Sequence, residues 1–183
     1  MLLTTRNREV ALHADKEITA YQLRFLSEEE CWMLFCKKAL PKNVTTTLDI
    51  VAKCGGLPLA VVVLDGLLSR KDKIPSEWAK VLKRISGEGH DQITIILVLS
   101  YDDLPYFLKP CFLYLGVFPE DHEIPARKLI QLWVAKGFVQ QRGNEMMEEV
   151  AEDYLEELID RSMVQLSRRS GVGTKTCRIH DML

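Results

Sequence analysis

Neither sign of charge is in excess. Twenty-four lysines and arginines face 26 aspartates and glutamates, a formal net charge of -2. A chain that grips a polyanion through its overall field carries a basic surplus, so this balance removes the general case for nucleic-acid binding. Paired cysteines are also missing. The five, Cys31, Cys36, Cys54, Cys111 and Cys177, form no C-x-x-C pair. That argues against a disulfide framework or a cysteine zinc knuckle, and for a reducing compartment. Long apolar runs are absent. None approaches the roughly 20 residues that cross a bilayer. The start, MLLTTRNREV, reaches charge after two leucines and has no signal-peptide apolar region. The expectation is a soluble, cytoplasmic protein with no membrane span.

What is present suffices for a core. Hydrophobic residues make up 47% of 183, enough for one or two domains. MLLTT fits a short strand end, and RNREVALHAD fits a helix start. Ser27-Glu28-Glu29-Glu30 is a capping box, with Ser27 as N-cap and Glu30 reaching back. Cys31, Trp32, Phe35, Cys36 and Ala39 then share one helical face, and Pro41 ends the helix. A second helix is expected over 46–54, closed by Gly55-Gly56. Pro58 then opens a helix, since its missing N–H would be an orphan at the first position. Val61-Val62-Val63 would also suit a buried strand, but the length of the apolar run selects helix. Pro75 opens another, with Trp78, Val81, Leu82 and Ile85 inward. Gly87-Glu88-Gly89 is the best linker candidate.

The second half is arranged differently. Ile93, Ile96, Leu97 and Tyr101 fit one helix. Asp103 is expected to cap another running to Val117, kinked or split at Pro110. Pro119-Glu120-Asp121 reads as a turn. Residues 125–136 form a helix with Leu129, Leu132 and Trp133 inward, and they occupy the position of a recognition helix. Asn144 is expected to cap a regular helix striped by Met147, Val150, Ala151, Tyr154, Leu155, Leu158 and Ile159. MVQL and TCRI flank the polar turn SRRSGVGTK, a β-hairpin. Helices followed by a hairpin give the winged-helix order.

Three candidate sites fail on chemistry. SGVGTK at 170–175 lacks the first glycine and the G-K-[ST] spacing of a phosphate loop, and a strand follows it. Cys177, His180 and Asp181 have no second cluster to complete a metal site or a nucleophile. Arg127, Lys128 and Lys136 could touch phosphate, but the helix that bears them leaves little polar face.

Five segments in order resemble a known family. LLTTRNREVALHAD, LSEEECWMLF, CGGLPLAVVVLDGLL, CFLYLGVFPED and IHD look like successive motifs of the NB-ARC region of plant nucleotide-binding, leucine-rich-repeat disease-resistance proteins. CFLYLGVFPED and the tryptophan of the 27–40 helix look more like the coiled-coil class. The resemblance implies a mainly α architecture. Residues 1–24 would be a remnant of an α/β nucleotide-binding domain, 25–88 a helical domain and 89–183 a winged-helix domain.

The resemblance also implies a function. The expected role is part of an ADP/ATP-dependent switch in an intracellular immune receptor, with Mg in the full-length parent. Arg6, in the TTR motif, would read the terminal phosphates. Pro58 would pack against adenine. His180 would donate to the β-phosphate of ADP, with Asp181 orienting that segment, and Ile179 replaces the motif's methionine. The phosphate loop and Walker B carboxylates would lie upstream of Met1, and the leucine-rich repeats after Leu183. The parent would then be a slow ATPase at most, with a receptor oligomer as a possible assembly, and this chain no enzyme. The alternatives are a winged-helix nucleic-acid module and a structural remnant with no nucleotide role.

Overall fold

The computed structural model describes residues 5, 8–14, 21–38, 44–72, 74–86, 92–119, 122–170 and 173–180. The expected strand end at MLLTT (save Thr5), the Pro41 stop, the Gly87–Gly89 linker and the Glu120-Asp121 turn lie outside them. A short α1 (Arg8–Ala14) comes first. Helix α2 (Glu28–Lys38) begins as the capping box requires. The Glu30 side chain accepts the Ser27 N–H at 2.8 Å, and the Ser27 hydroxyl accepts the Glu30 N–H at 3.2 Å. Arg24 adds a bidentate clamp on Glu30 at 2.6 and 2.7 Å.

Helix α3 (Val44–Ala52) leads into the Gly55-Gly56 turn, and α4 (Pro58–Ser69) starts with Pro58 at its first position. The turn needs Gly56 for two reasons. Its φ is +78°, and a Cβ there would stand 2.6 Å from the Leu26 carbonyl oxygen. The chain entering α2 crosses at this point, where the Leu26 N–H donates to the Gly56 carbonyl at 2.8 Å. Helix α4 is apolar on nearly every side and is buried accordingly, between α2 and α6 (Gln92–Asp102). Helix α5 (Pro75–Ile85) completes this unit with Trp78, Val81 and Ile85 buried. One apolar cluster joins these residues with Cys31, Phe35, Ile50, Leu64, Leu68, Ile96 and Leu99.

A second cluster starts at Leu104. It is built by α7 (Leu108–Tyr114), a 3-10 turn (Leu115–Val117), β1 (Ile124–Pro125), α8 (Ala126–Ala135), α9 (Met147–Asp160), β2 (Gln165–Ser170) and β3 (Gly173–Arg178). The strands pair antiparallel in the order β1-β3-β2. Trp133, Leu129, Leu155 and Ile124 are fully buried between α8, α9 and the sheet.

Four expectations need correction. Pro110 does not kink a helix running from Asp103. It is the third residue of the separate α7, where a backbone N–H has no intrahelical partner to lose. Asp103 caps nothing, because residues 103–107 are turns and α7 begins after Phe107. Asn144 lies short of α9, which starts after Met146, where the Glu149 side chain accepts the Met146 N–H at 3.1 Å. Leu132 is half-buried, and Ile130 takes its place in the inward stripe with Ala126, Leu129 and Trp133.

Candidate functional site

A cavity of about 280 Å³ lies where the two clusters meet. Leu59 and Val62 of α4 form one wall. Ile159, Ser162, Met163, Val164, Gln165 and Leu166, which lead from α9 into β2, form the other, and His180 joins them. Leu59, the last residue of Gly-Leu-Pro-Leu, and His180, 121 positions apart, therefore face one space. Pro58 itself is exposed and is not among the lining residues, and His180 is half-buried. Arg6 and Asp181 lie outside the described residues.

The wall opposite α4 holds one residue that the sequence reading missed. Ser162 has φ +58°, the only positive φ at a non-glycine among the described residues. It ends α9 in a Schellman arrangement: the Ser162 N–H donates to Ile159 at 2.8 Å and the Met163 N–H to Leu158 at 3.0 Å. Glycine is the usual residue at that position, so no local sequence signal marks Ser162. The backbone reversal turns Met163 and Val164 into the core and leaves Ser162 on the cavity.

The chemistry of this lining is simple. Aliphatic side chains suit the flat face of a ring. Ser162, Gln165 and His180 supply hydrogen-bonding groups at its edge. No lysine or arginine lines the cavity, so it offers no compact cation to hold a polyphosphate. Among the described residues no cluster of three or more His, Cys, Asp or Glu side chains could hold a metal ion.

Four of the five cysteines, Cys31, Cys54, Cys111 and Cys177, are buried in the core. Burial pushes the Cys54 and Cys111 thiols up to about 12 and Cys177 to about 11. Cys177 is fully buried, with its Sγ 3.7 Å from the Ile124 carbonyl oxygen. It is no nucleophile for His180.

Topology reassigns the reading helix. In a helix-turn-helix the second helix enters the groove. Between β1 and the hairpin that helix is α9, not the 125–136 segment, which is α8. The helix α9 holds Glu148, Glu149, Glu152, Asp153, Glu156, Glu157 and Asp160 and no base. Glu148, Glu149 and Glu152 are exposed on it, and like-charge repulsion from DNA phosphate opposes the contact on which such binding depends. Arg127, Lys128, Lys136, Arg168 and Lys175 are exposed elsewhere on this unit.

The architecture is thus a helical bundle joined to a winged helix, with a cavity where the two meet. The comparisons agree with that class. Residues 1–45 match the NB-ARC domain, and residues 117–183 match the disease resistance protein winged helix domain. Across its whole length the chain is 45% identical to disease resistance protein RPP13 of Arabidopsis thaliana. It is 39% identical to ToMV resistance protein Tm-2(2) of Solanum lycopersicum, and 38% to ToMV susceptible protein tm-2 of the same plant. In each case it spans 23% of the relative's length. The chain belongs to the NB-ARC plant disease-resistance proteins.

No helix among the described residues is long and apolar enough to cross a membrane.

Proposed function

We propose that this segment forms two walls of a nucleotide-responsive switch in a cytoplasmic plant immune receptor. The division into a nucleotide-binding remnant at 1–24, a helical unit at 25–88 and a winged-helix unit at 89–183 is part of that reading, although α6 packs in the core of the helical unit. The carrying observation is the single cavity shared by Leu59 and Val62 of the Pro58 helix and by His180. An aliphatic wall beside the exposed Pro58 suits adenine, and the His180 imidazole suits a phosphate oxygen. ADP or ATP, with Mg, would supply the charge that the wall reads. Arg6 and Asp181 keep their proposed roles as phosphate sensor and orienting residue.

Two walls are not a full site. None of the 183 residues forms a G-x-x-x-x-G-K-[ST] loop, whose N–H groups and lysine carry most of the grip on phosphates. Hydrolysis by this chain is not expected, and ADP titrated into it calorimetrically should bind in the millimolar range or more weakly. The decisive experiment uses a full-length receptor bearing this segment, with its nucleotide-binding and leucine-rich-repeat regions and any oligomer they form. A charge-assisted hydrogen bond from His180 is worth about 1.5–3 kcal/mol. His180→Ala should therefore weaken ADP retention by about 10- to 100-fold, whereas His122→Ala, away from the cavity, should not. Equal retention in both variants would remove His180 from the mechanism.

A further inference from the structure

Gly66 lies in the interior of α4, where glycine is a poor helix former. A Cβ there would stand 2.6 Å from the carbonyl carbon of Arg161, 3.0 Å from its Cα, and closer still to its oxygen. These are backbone atoms at the end of α9, so no side chain can swing away to make room. The two chains touch because this residue has no side chain.

Charges of alternating sign surround the contact. Lys71 Nζ lies 2.7 Å from Asp103 Oδ1, and Asp103 Oδ2 lies 3.3 Å from an Arg161 guanidinium nitrogen. Arg161 Nε lies 2.9 Å from Glu157 Oε1. Arg70 reaches Glu157 at 3.6 Å and Asp160 at 3.9 Å. Three positive and three negative groups, drawn from the end of α4, the α6–α7 turn and the end of α9, close into one chain. The Arg161 side chain is only 10% exposed, whereas its partners Asp103 and Glu157 are 25% and 32% exposed, so the guanidinium is the shielded member of the chain. Asp103, which the sequence marks as a helix cap, is the residue that joins Lys71 to Arg161.

The contact also governs the cavity. Arg161 is followed directly by Ser162, Met163 and Val164, which form the wall facing Leu59 and Val62. Leu59 and Gly66 are seven residues apart on one helix, about 10 Å at 1.5 Å per residue. Whatever fixes Arg161 against Gly66 fixes the spacing of both walls.

We propose that the Gly66–Arg161 contact and its charge chain form a catch that holds the winged-helix unit on the helical unit and sets the width of the shared cavity. Gly66, Asp103 and Arg161 are its positioning residues. The catch depends on the geometry of the cavity and not on which ligand fills it, so it stands or falls separately from the nucleotide reading.

The test uses this chain with spin labels on cysteines replacing exposed Lys80 of α5 and Glu152 of α9, in a Cys36→Ser background. Pulsed electron resonance reads the distance between units, and hydrogen exchange reads residues 162–166. The parent should give one narrow distance. Gly66→Ala should broaden or lengthen it and speed exchange over 162–166 at least tenfold, with α5 and α8 unchanged. Gly116→Ala is the control, because a Cβ there meets nothing within 4 Å. Should Gly66→Ala fail to fold, Asp103→Asn removes the shared charge without adding bulk. It should broaden the distance less, as 1 M salt should in the parent. A parental distance and parental exchange in every variant that folds would overturn the catch. So would equal broadening in Gly116→Ala.

Discussion

Helices α4 and α9 meet at their C-terminal ends and reach that meeting by opposite routes. Helix α4 carries one charge, Asp65, in 12 residues and buries nine of them. Helix α9 carries seven carboxylates in 14 residues and buries five, all on one stripe. The second is an amphipathic helix whose inward face is written in its own sequence. The first is apolar all round, so its place is decided by the elements that enclose it. A helix of the first kind transmits any shift of its neighbours, because it has no solvent face on which to yield. A helix of the second kind can be re-docked as a body.

The sharpest way to break this comparison is to remove volume from α4 and charge from α9. Leu64 is fully buried. Leu64→Ala should cost about 2–5 kcal/mol, the transfer term plus the cavity left behind. Glu152 is exposed on α9, and Glu152→Ala should fall within about 0.5 kcal/mol of the parent. Urea midpoints measure both. If the two shifted equally, the contrast between enclosed and amphipathic helices would be wrong.

That contrast also explains what could be read in the sequence. Ser27 and Glu30 could be, because a capping box is a local device with fixed spacing. So could the stripe of α9 and the Pro58 and Pro75 starts, because each depends on neighbours within a turn or two. Pro110 could not, because a proline in a first turn and one in a helix interior look alike until the start of the helix is known. The two-residue β1 has no periodicity to detect, and missing it moved the reading position from α9 to α8. Asp103 shows the limit most plainly. Its residue type fits a cap, but its partners, Lys71 and Arg161, lie 32 and 58 positions away. In the candidate site, Pro58 and His180 were found through the family resemblance, and neither residue alone implies the other. An isolated glycine inside an apolar helix was the available signal for Gly66.

A second prediction sharpens the comparison at the end of α9. Ser162 holds a left-handed conformation that costs a residue with a Cβ about 1–2 kcal/mol. Ser162→Gly should therefore stabilise the winged-helix unit by about 1 kcal/mol, offset in part by the greater freedom glycine gives the unfolded chain. A melting temperature that rises in this variant would show that α9 ends under strain. A fall would mean that the Ser162 side chain contributes more than its backbone costs.

The smallest effect is expected at the start of α2, far from both helix ends. The Glu30 carboxyl is pushed down from its ordinary value near 4.5 to about 2. The hydrogen bonds from Arg24 are the main cause, and the Ser27 N–H adds to them. A carboxylate whose pKa is lower in the folded state stabilises that state fully above its unfolded value. The contribution is lost as pH falls through the window from about 4.5 to about 2. Glu30→Gln keeps the shape and removes the charge, so it resembles the protonated parent. The parent should melt higher than the variant at pH 6, by a small margin because the pair is open to solvent. The margin should shrink between pH 4.5 and 2 and vanish below that. Other carboxylates titrate in both proteins, so the difference between the two curves isolates Glu30 as long as its partners stay in place. A margin that persists unchanged at pH 2 would show that the variant loses something other than the charge, and that the Arg24 clamp does not set the ionisation of Glu30.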